Sequence, residues 1–213
     1  MKKILRIIAL VHAVALTVLL SISAVHAQTV VDAWDTVKAP PAPELKSVTL
    51  DPKSTAVLLL DFNKQTCSAA QRPRCIASIP KVAKLLAEAR GKGVLVVYSL
   101  SAGATTADIG PELAPKGNEP VVASGPDKFL GTDLEKILRE KNIKTVIVNG
   151  TAAHGAVLYT ASEAAFRGMK VIIPVDGLSA EALYPEQYTV WTLANAPRVS
   201  AQVTLTKIDM IKF

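Results

Sequence analysis

"VNGTAAHGAVLYTASEAA", residues 148–165, decides the fold. The apolar run Thr145 to Val148 stops at Asn149-Gly150, small residues follow, and a helical pattern opens near Gly155. A strand that ends in a tight glycine turn and leads into a helix is where α/β enzymes place their chemistry. This turn offers neither a cysteine nor a serine. Its chemistry, if it has any, must come from other groups.

The same alternation extends on both sides. "TAVLLLDF" (55–62) is a continuous apolar run ending in an acid, as expected of a strand buried on both faces. "IPKVAKLLAEARGKG" (79–93) places Val82, Leu85, Leu86 and Ala89 on one helical face before a glycine stop, and "VLVVYSLS" (94–101) is a second buried strand. "TDLEKILREKNI" (132–143) reads as a helix with Thr132 as N-cap and Glu135 at capping-box spacing. "KTVIVNG" is the third strand, "GAVLYTASEAAFRG" (155–168) the third helix and "KVIIPVDG" (170–177) the fourth strand. A helix within "SAEALYPEQYTVWTLANA" and a strand near "AQVTLTKI" complete the set. The spacing predicts a three-layer α/β/α domain over 54–213, with a mostly parallel, Rossmann-like central sheet of about five to six strands.

Ligands of such sheets bind beyond the carboxyl ends of the strands. The groups expected there are Asp61 with Asn63, Tyr98 to Ser101, the 149–156 turn and Asp176. Asp61 is the best single candidate, because it closes a buried strand with Asn63 beside it.

The N-terminus reads as a targeting segment. Lys2, Lys3 and Arg6 precede an apolar stretch from Ile7 to Leu20, and "SAVHAQ" supplies small residues before a cut after Ala27. Residues 1–27 are therefore expected to be a secretory signal peptide, with a retained membrane anchor as the alternative, and the mature chain to be periplasmic or secreted, with no membrane association after cleavage. Residues 28–53 read as a lead-in, in which "KAPPAPE" (38–44) is an extended linker. Without Lys2, Lys3 and Arg6 the 24 basic residues fall to 21 against 18 acidic ones, a formal charge of +3 instead of +6. No basic cluster with interleaved aromatics remains, which argues against nucleic acid as a partner.

Cys67 and Cys75 lie eight apart in "TCSAAQRPRC". In an oxidising compartment a disulfide is the favoured reading, a reactive Cys67 thiol near Asp61 the alternative. His12 and His26 fall in the signal, which leaves His154 alone, so neither a metal site nor another cofactor is expected.

Four stretches resemble the isochorismatase-like hydrolase superfamily, which includes nicotinamidases and related cysteine hydrolases. They are "AVLLLDFNKQ", "GPELAPKGNEPVV", "FLGTDLEKILREKNIKTVIVNG" and "GTAAHGAVLYTASEAAFRGMKVIIPVDG", spanning roughly 54–180. The resemblance implies Asp61 as the catalytic carboxylate and Asn63 where the family has Gln. It implies a cysteine six residues after the turn glycine, but counting from Gly150 gives Ala156, with "VLYTA" in register behind it. The family lysine is expected near Ala123, six after Gly117, and Phe129 agrees with that register, so the lysine reads as lost. Lys128 is close in sequence but on another stretch: a solvated lysine by default, a substitute substrate-binding cation otherwise. The family's Asp-x-His metal motif is also missing from "SLSAGATTAD".

True isochorismatases lack the cysteine as well, and "AAHGA" resembles that variant. Hydrolysing a vinyl ether needs a proton delivered to carbon and water added to the oxocarbenium ion, with no acyl intermediate. A carboxylic acid in an apolar pocket suits that task, because burial raises a carboxyl pKa. The resemblance makes Asp61 that acid, leaves room at Ala156, and makes backbone N–H groups of Ala152 and Ala156 holders of a polarised oxygen. It also places a cis peptide near Thr151-Ala152, and Gly155 lines the substrate together with His154, unless His154 is a helix-start histidine bonded to backbone. The expected function is an exported isochorismatase-like hydrolase of vinyl ether or C–N bonds in a small molecule. The alternative is an inactive relative that binds a small ligand or a partner protein. Homo-oligomerisation is left open, since no segment identifies an interface.

Overall fold

A computed structural model describes residues 29–213. The signal read over 1–27, with its cut after Ala27, lies outside the described residues. The chain divides after Pro41 into two units. In the first, residues 29–41 carry one 3-10 turn, Trp34–Thr36.

The second unit, Ala42–Phe213, is the α/β domain. In chain order its elements are β1 (Val48–Thr49), β2 (Thr55–Leu60), α1 (Pro73–Gly91), β3 (Leu95–Leu100), β4 (Val121–Ala123), α2 (Leu134–Glu140) and β5 (Thr145–Thr151). They continue with α3 (Leu158–Phe166), β6 (Lys170–Pro174), β7 (Leu178–Ser179), α4 (Leu183–Asn195), β8 (Val203–Thr206) and β9 (Ile211–Lys212). The main sheet has seven strands in the order β4-β3-β2-β5-β6-β8, with β7 paired to the end of β5. Every pairing between its strands is parallel.

Burial on both faces explains the continuous apolar runs. In β2 the residues Ala56, Leu58 and Leu60 face a core shared with α2, α3 and α4, whereas Val57 and Leu59 face the core built on α1. This is the three-layer α/β/α arrangement that the alternation implies, with one strand more than the five to six expected. The additional pieces are short. β4 is three residues following Pro120, while β1, β7 and β9 are two residues each, too brief to carry a period.

The lead-in read over 28–53 is not linker throughout. β1 pairs in parallel with β9, and the Lys46 N–H donates to the Leu205 carbonyl at 2.9 Å, so residues 46–50 are bonded into the domain. Helix α1 begins six residues earlier than the Ile79 expected from sequence. Pro73 serves as a helix start, where its fixed φ suits the first turn, and Pro80 is carried inside on the exposed side. Thr132 lies one residue ahead of the cap position of α2, yet its hydroxyl still accepts from the Leu134 N–H at 3.1 Å. Glu135 turns instead to Arg139 and Arg167.

The order of strands fixes where a ligand can sit. The chain leaves β2 toward β3 and β4 on one side, then returns to build β5, β6 and β8 on the other. The crevice at the carboxyl ends of β2 and β5 is thus the switch point of the sheet, the preferred ligand site of such folds.

Candidate active site

Asp61 is the first residue after β2 and is 6 % exposed, with a positive φ of 56°. Aspartate tolerates this left-handed conformation better than larger side chains. Past the bend its carboxylate meets Ser99 and Lys128. Ser99, in β3, donates its hydroxyl to Asp61 Oδ1 at 2.6 Å, and Lys128 Nζ donates to Asp61 Oδ2 at 2.8 Å. Lys128 is 1 % exposed and also donates to the Ser124 carbonyl at 3.2 Å.

This overturns the default reading of a solvated Lys128, while the register position itself is Ala123, as the sequence has it. Lys128 stands five positions past the place where register put the family lysine, in the loop after β4, but its amine ends on Asp61. The loop is built to hold it there. Ser124 bonds the Asp127 carbonyl at 2.7 Å, Thr132 bonds the Lys128 carbonyl at 2.5 Å, and the Lys128 N–H donates to Thr160 of α3 at 3.2 Å. The picture of an isolated acid in an apolar pocket is corrected at the same point: both carboxylate oxygens have polar partners.

Around the pair lies a second layer. Asn63 is fully buried, its Oδ1 accepts from Ser101 at 3.1 Å, and its Nδ2 has no hydrogen-bond partner among the described residues. Thr66 bonds the Asp61 carbonyl, while Arg72 donates to the Thr66 carbonyl at 2.9 Å. Cys67 and Cys75 form a disulfide, which closes the loop carrying Arg72 and excludes the free-thiol alternative. On the outer side, the Lys64 ammonium and then the Thr105 N–H hold the Asp108 carboxyl far below the usual carboxylate range.

The turn after β5 completes the crevice. Thr151-Ala152 is a cis peptide, and Ala153–Val157 form one wide π-type turn before α3. The Ala152 carbonyl accepts from both Gly155 and Val157, at 3.1 and 3.2 Å. Ala156 is buried in the core next to α3, and no cysteine stands in the turn. His154 is half-exposed, with Nε2 3.7 Å from Glu181 Oε1 and a buried Nδ1 that has no partner among the described residues. Arg72 Nε lies 3.7 Å from the other Glu181 oxygen.

Two residues expected at the strand ends are structural. Tyr98 faces the opposite core, donating to the Leu113 carbonyl at 2.7 Å, and burial pushes its phenol above the usual range. Asp176 accepts from the Ile208 N–H at 2.9 Å and from Lys81 at 3.0 Å, tying strand ends together. Thr66, Arg72 and Glu181 were not singled out by sequence, and Ser99 was expected only as part of the stretch Tyr98 to Ser101. The period of two carries a signal for Ser99, since it shares a side of β3 with Val97 and not with Tyr98. Among the described residues no three His, Cys, Asp or Glu side chains group as a metal site.

Comparisons with known proteins identify the family and the fold. The Isochorismatase domain family matches residues 55–207. The secreted isochorismatase effector Isc1 of Verticillium dahliae is 35 % identical over 113 residues, covering 48 % of this chain and 60 % of the effector. N-carbamoylsarcosine amidase of Arthrobacter sp. is 28 % identical over 145 residues, covering 55 % of each chain. The chain thus spans less than two-thirds of the length of either relative. Among solved structures, a cysteine hydrolase from Pseudomonas syringae pv. phaseolicola superimposes with a TM-score of 0.67 at 20 % identity, over 79 % of this chain and 95 % of the other, a likeness of fold. On the match across 55–207, the chain belongs to the isochorismatase family.

Proposed function

We propose that this family member is an exported hydrolase that acts on a small molecule without a cysteine nucleophile, with Asp61 as its acid/base. The observation that carries the reading is the buried Asp61–Lys128 pair at the switch point of the sheet, beside a turn whose nucleophile position is Ala156. A buried carboxylate and ammonium in contact have no net charge before a proton leaves and one negative charge after it, which a cationic intermediate bound beside them offsets.

For a vinyl ether, a proton passes from the pair to carbon, the C=C electrons form the new C–H bond, and an oxocarbenium ion remains. Water adds to that ion, its surplus proton returns to Asp61, and the hemiketal breaks into a carbonyl compound and an alcohol. For a C–N bond, Asp61 takes a proton from the attacking water and the leaving nitrogen receives it. Ala156 leaves space for the substrate in either case. Backbone N–H groups of Ala152 and Ala156 are assigned to a polarised oxygen. The unpartnered Asn63 Nδ2 and His154 Nδ1, with Gly155 between His154 and Ala156, are assigned to substrate polar groups. Lys128 counters negative charge on the substrate as well as on Asp61.

A second reading is supported by the same pair. Because Ser99 and Lys128 occupy both Asp61 oxygens, a relative that only binds its ligand would look similar. A hydrolysis screen of purified mature protein, using vinyl ethers such as isochorismate together with nicotinamide and other small amides, separates the two. Turnover of one compound is expected, falling about 10³-fold in Asp61→Asn. Turnover that survives the substitution would remove Asp61 from the reaction, and none at all from folded protein would favour the binding relative.

Export rests on the basic and apolar N-terminus and on the Cys67–Cys75 disulfide, a bond characteristic of oxidising compartments. The mass of protein recovered from a bacterial periplasm is expected to correspond to a chain starting at Gln28. An intact N-terminus retained in the cytoplasm would contradict export.

A further inference from the structure

Asp61 opens the loop after β2 in a left-handed conformation, which persists in a residue other than glycine only where neighbours impose it. The imposing neighbour is Thr66. Its hydroxyl donates to the Asp61 carbonyl, and the Asn63 carbonyl and Oδ1 both lie 3.2 Å from the same hydroxyl oxygen. The Thr66 and Cys67 N–H groups close the turn by donating to the Asn63 carbonyl at 3.0 and 2.8 Å. Thr66 is in turn held from outside, where Arg72 Nη1 donates to its carbonyl at 2.9 Å. No side chain between Cys67 and Cys75 is buried, so the segment that carries Arg72 has no apolar anchor of its own. Both cysteines are buried, Cys67 next to Thr66 and Cys75 in the first turn of α1. Arg74, already in α1, bonds Glu186 and anchors the helix end, which leaves the other end to the disulfide.

We propose that the Cys67–Cys75 disulfide is a positioning element for the acid/base, holding Asp61 in its left-handed pose through Arg72 and Thr66. Its kinetic consequence rests on the reading of Asp61 as acid/base. The path is short. The bond confines Arg72, Arg72 holds the Thr66 carbonyl, the Thr66 hydroxyl holds the Asp61 carbonyl, and the Asp61 carboxylate meets Ser99 and Lys128. Without the bond, chain entropy favours open arrangements of the loop. Arg72 then leaves the Thr66 carbonyl to water, Thr66 turns away, and Asp61 relaxes toward negative φ, which shifts its carboxylate against both partners. Misplacing a catalytic group by about 1 Å costs on the order of 10²-fold in rate. The effect is local for two reasons. A bond between residues eight apart removes less entropy from the unfolded chain than one closing a long loop. The pairing of β2 with β3 and β5 ends at Leu60, before the loop begins, and does not depend on it.

Amide hydrogen exchange read by mass spectrometry tests this without a substrate. In the double variant Cys67→Ala/Cys75→Ala, the amides of 61–67 are expected to exchange at least about 10-fold faster, while those of β5 and β6 keep their rates. Thr66→Val keeps the side-chain shape and the disulfide but loses the hydroxyl, and should give the same local loss. Thr66→Ser should restore the protection. If the double variant does not fold, Thr66→Val and Arg72→Met carry the test. Faster exchange across the whole domain, or no change in 61–67, overturns the proposal. Turnover supplies a second arm. On any compound that the wild type hydrolyses, kcat is expected to fall about 10²-fold in the double variant and in Thr66→Val, with KM within about threefold. Leu138→Ala, in the core on the other side of the sheet, should lose stability and keep kcat. An unchanged kcat in both loop variants overturns the proposal. A wild type that turns over nothing while exchange behaves as expected would sink the acid/base reading and support the positioning of Asp61 by the loop.

Discussion

Lys128→Met is expected to lower the unfolding free energy by about 3–5 kcal/mol and to abolish turnover. The expectation follows from where the two charges lie. Asp61 and Lys128 touch at 2.8 Å, and neither has appreciable access to water. Methionine keeps most of the lysine's length and apolar stem but leaves Asp61 with Ser99 alone, a buried charge without its counter-ion. The cost is mainly that of the orphaned charge, so removing both charges should cost less than removing one. The double variant Asp61→Asn/Lys128→Met is therefore expected to recover much of the stability lost in Lys128→Met while remaining inactive. Urea denaturation followed by circular dichroism measures each term. A loss below about 1 kcal/mol in the single variant, the range of a surface ion pair, would show that the pair is not buried in solution.

The same residue shows what sequence reading can and cannot reach. Strand–helix order and the position of Asp61 at the end of a buried strand follow from local pattern, whereas the cis peptide at Thr151-Ala152 and the cysteine missing at Ala156 were legible only through the family resemblance. Lys128 was legible by neither route, because register counts residues along the chain whereas a loop delivers a side chain through space. The loop after β4 bends back on itself through the Ser124 and Thr132 hydroxyls, and a long lysine stem spans the remaining gap. Sequence placed the lysine by its position in a strand, and the chain supplies it from the loop beyond. Glu186 fails for a related reason. Its partner Arg74 is 112 residues away, so no local pattern announces that the only charge on α4 is the inward one. The two-residue strands escape because two residues have no period.

Gly150→Ala is expected to be the most damaging single-carbon change in the chain, with a loss of at least about 3 kcal/mol and a displaced Asp61. Gly150 pairs in register with Leu60 where β5 passes β2, and its φ is 142°. A Cβ there would stand 2.2 Å from the Leu60 carbonyl oxygen and 2.7 Å from the Leu60 Cβ. Backbone cannot swing aside as a flexible side chain can, so the two central strands would have to part at their ends. Leu60 immediately precedes Asp61, and the Asp61 N–H is bonded to the Ser99 carbonyl at 3.2 Å, so this movement would reach the ion pair directly. Conformation and crowding can be separated with Gly117→Ala. That glycine also has a positive φ, 57°, but nothing lies within 4 Å of the added carbon. It should cost only the 1–2 kcal/mol of a left-handed alanine. Thermal and urea denaturation of the two variants side by side make the comparison. Equal losses would mean that the β2–β5 approach is looser than the 2.2 Å contact implies. A larger loss at Gly150, accompanied by loss of activity, would identify the glycine as the spacer that lets the end of β5 lie against Asp61.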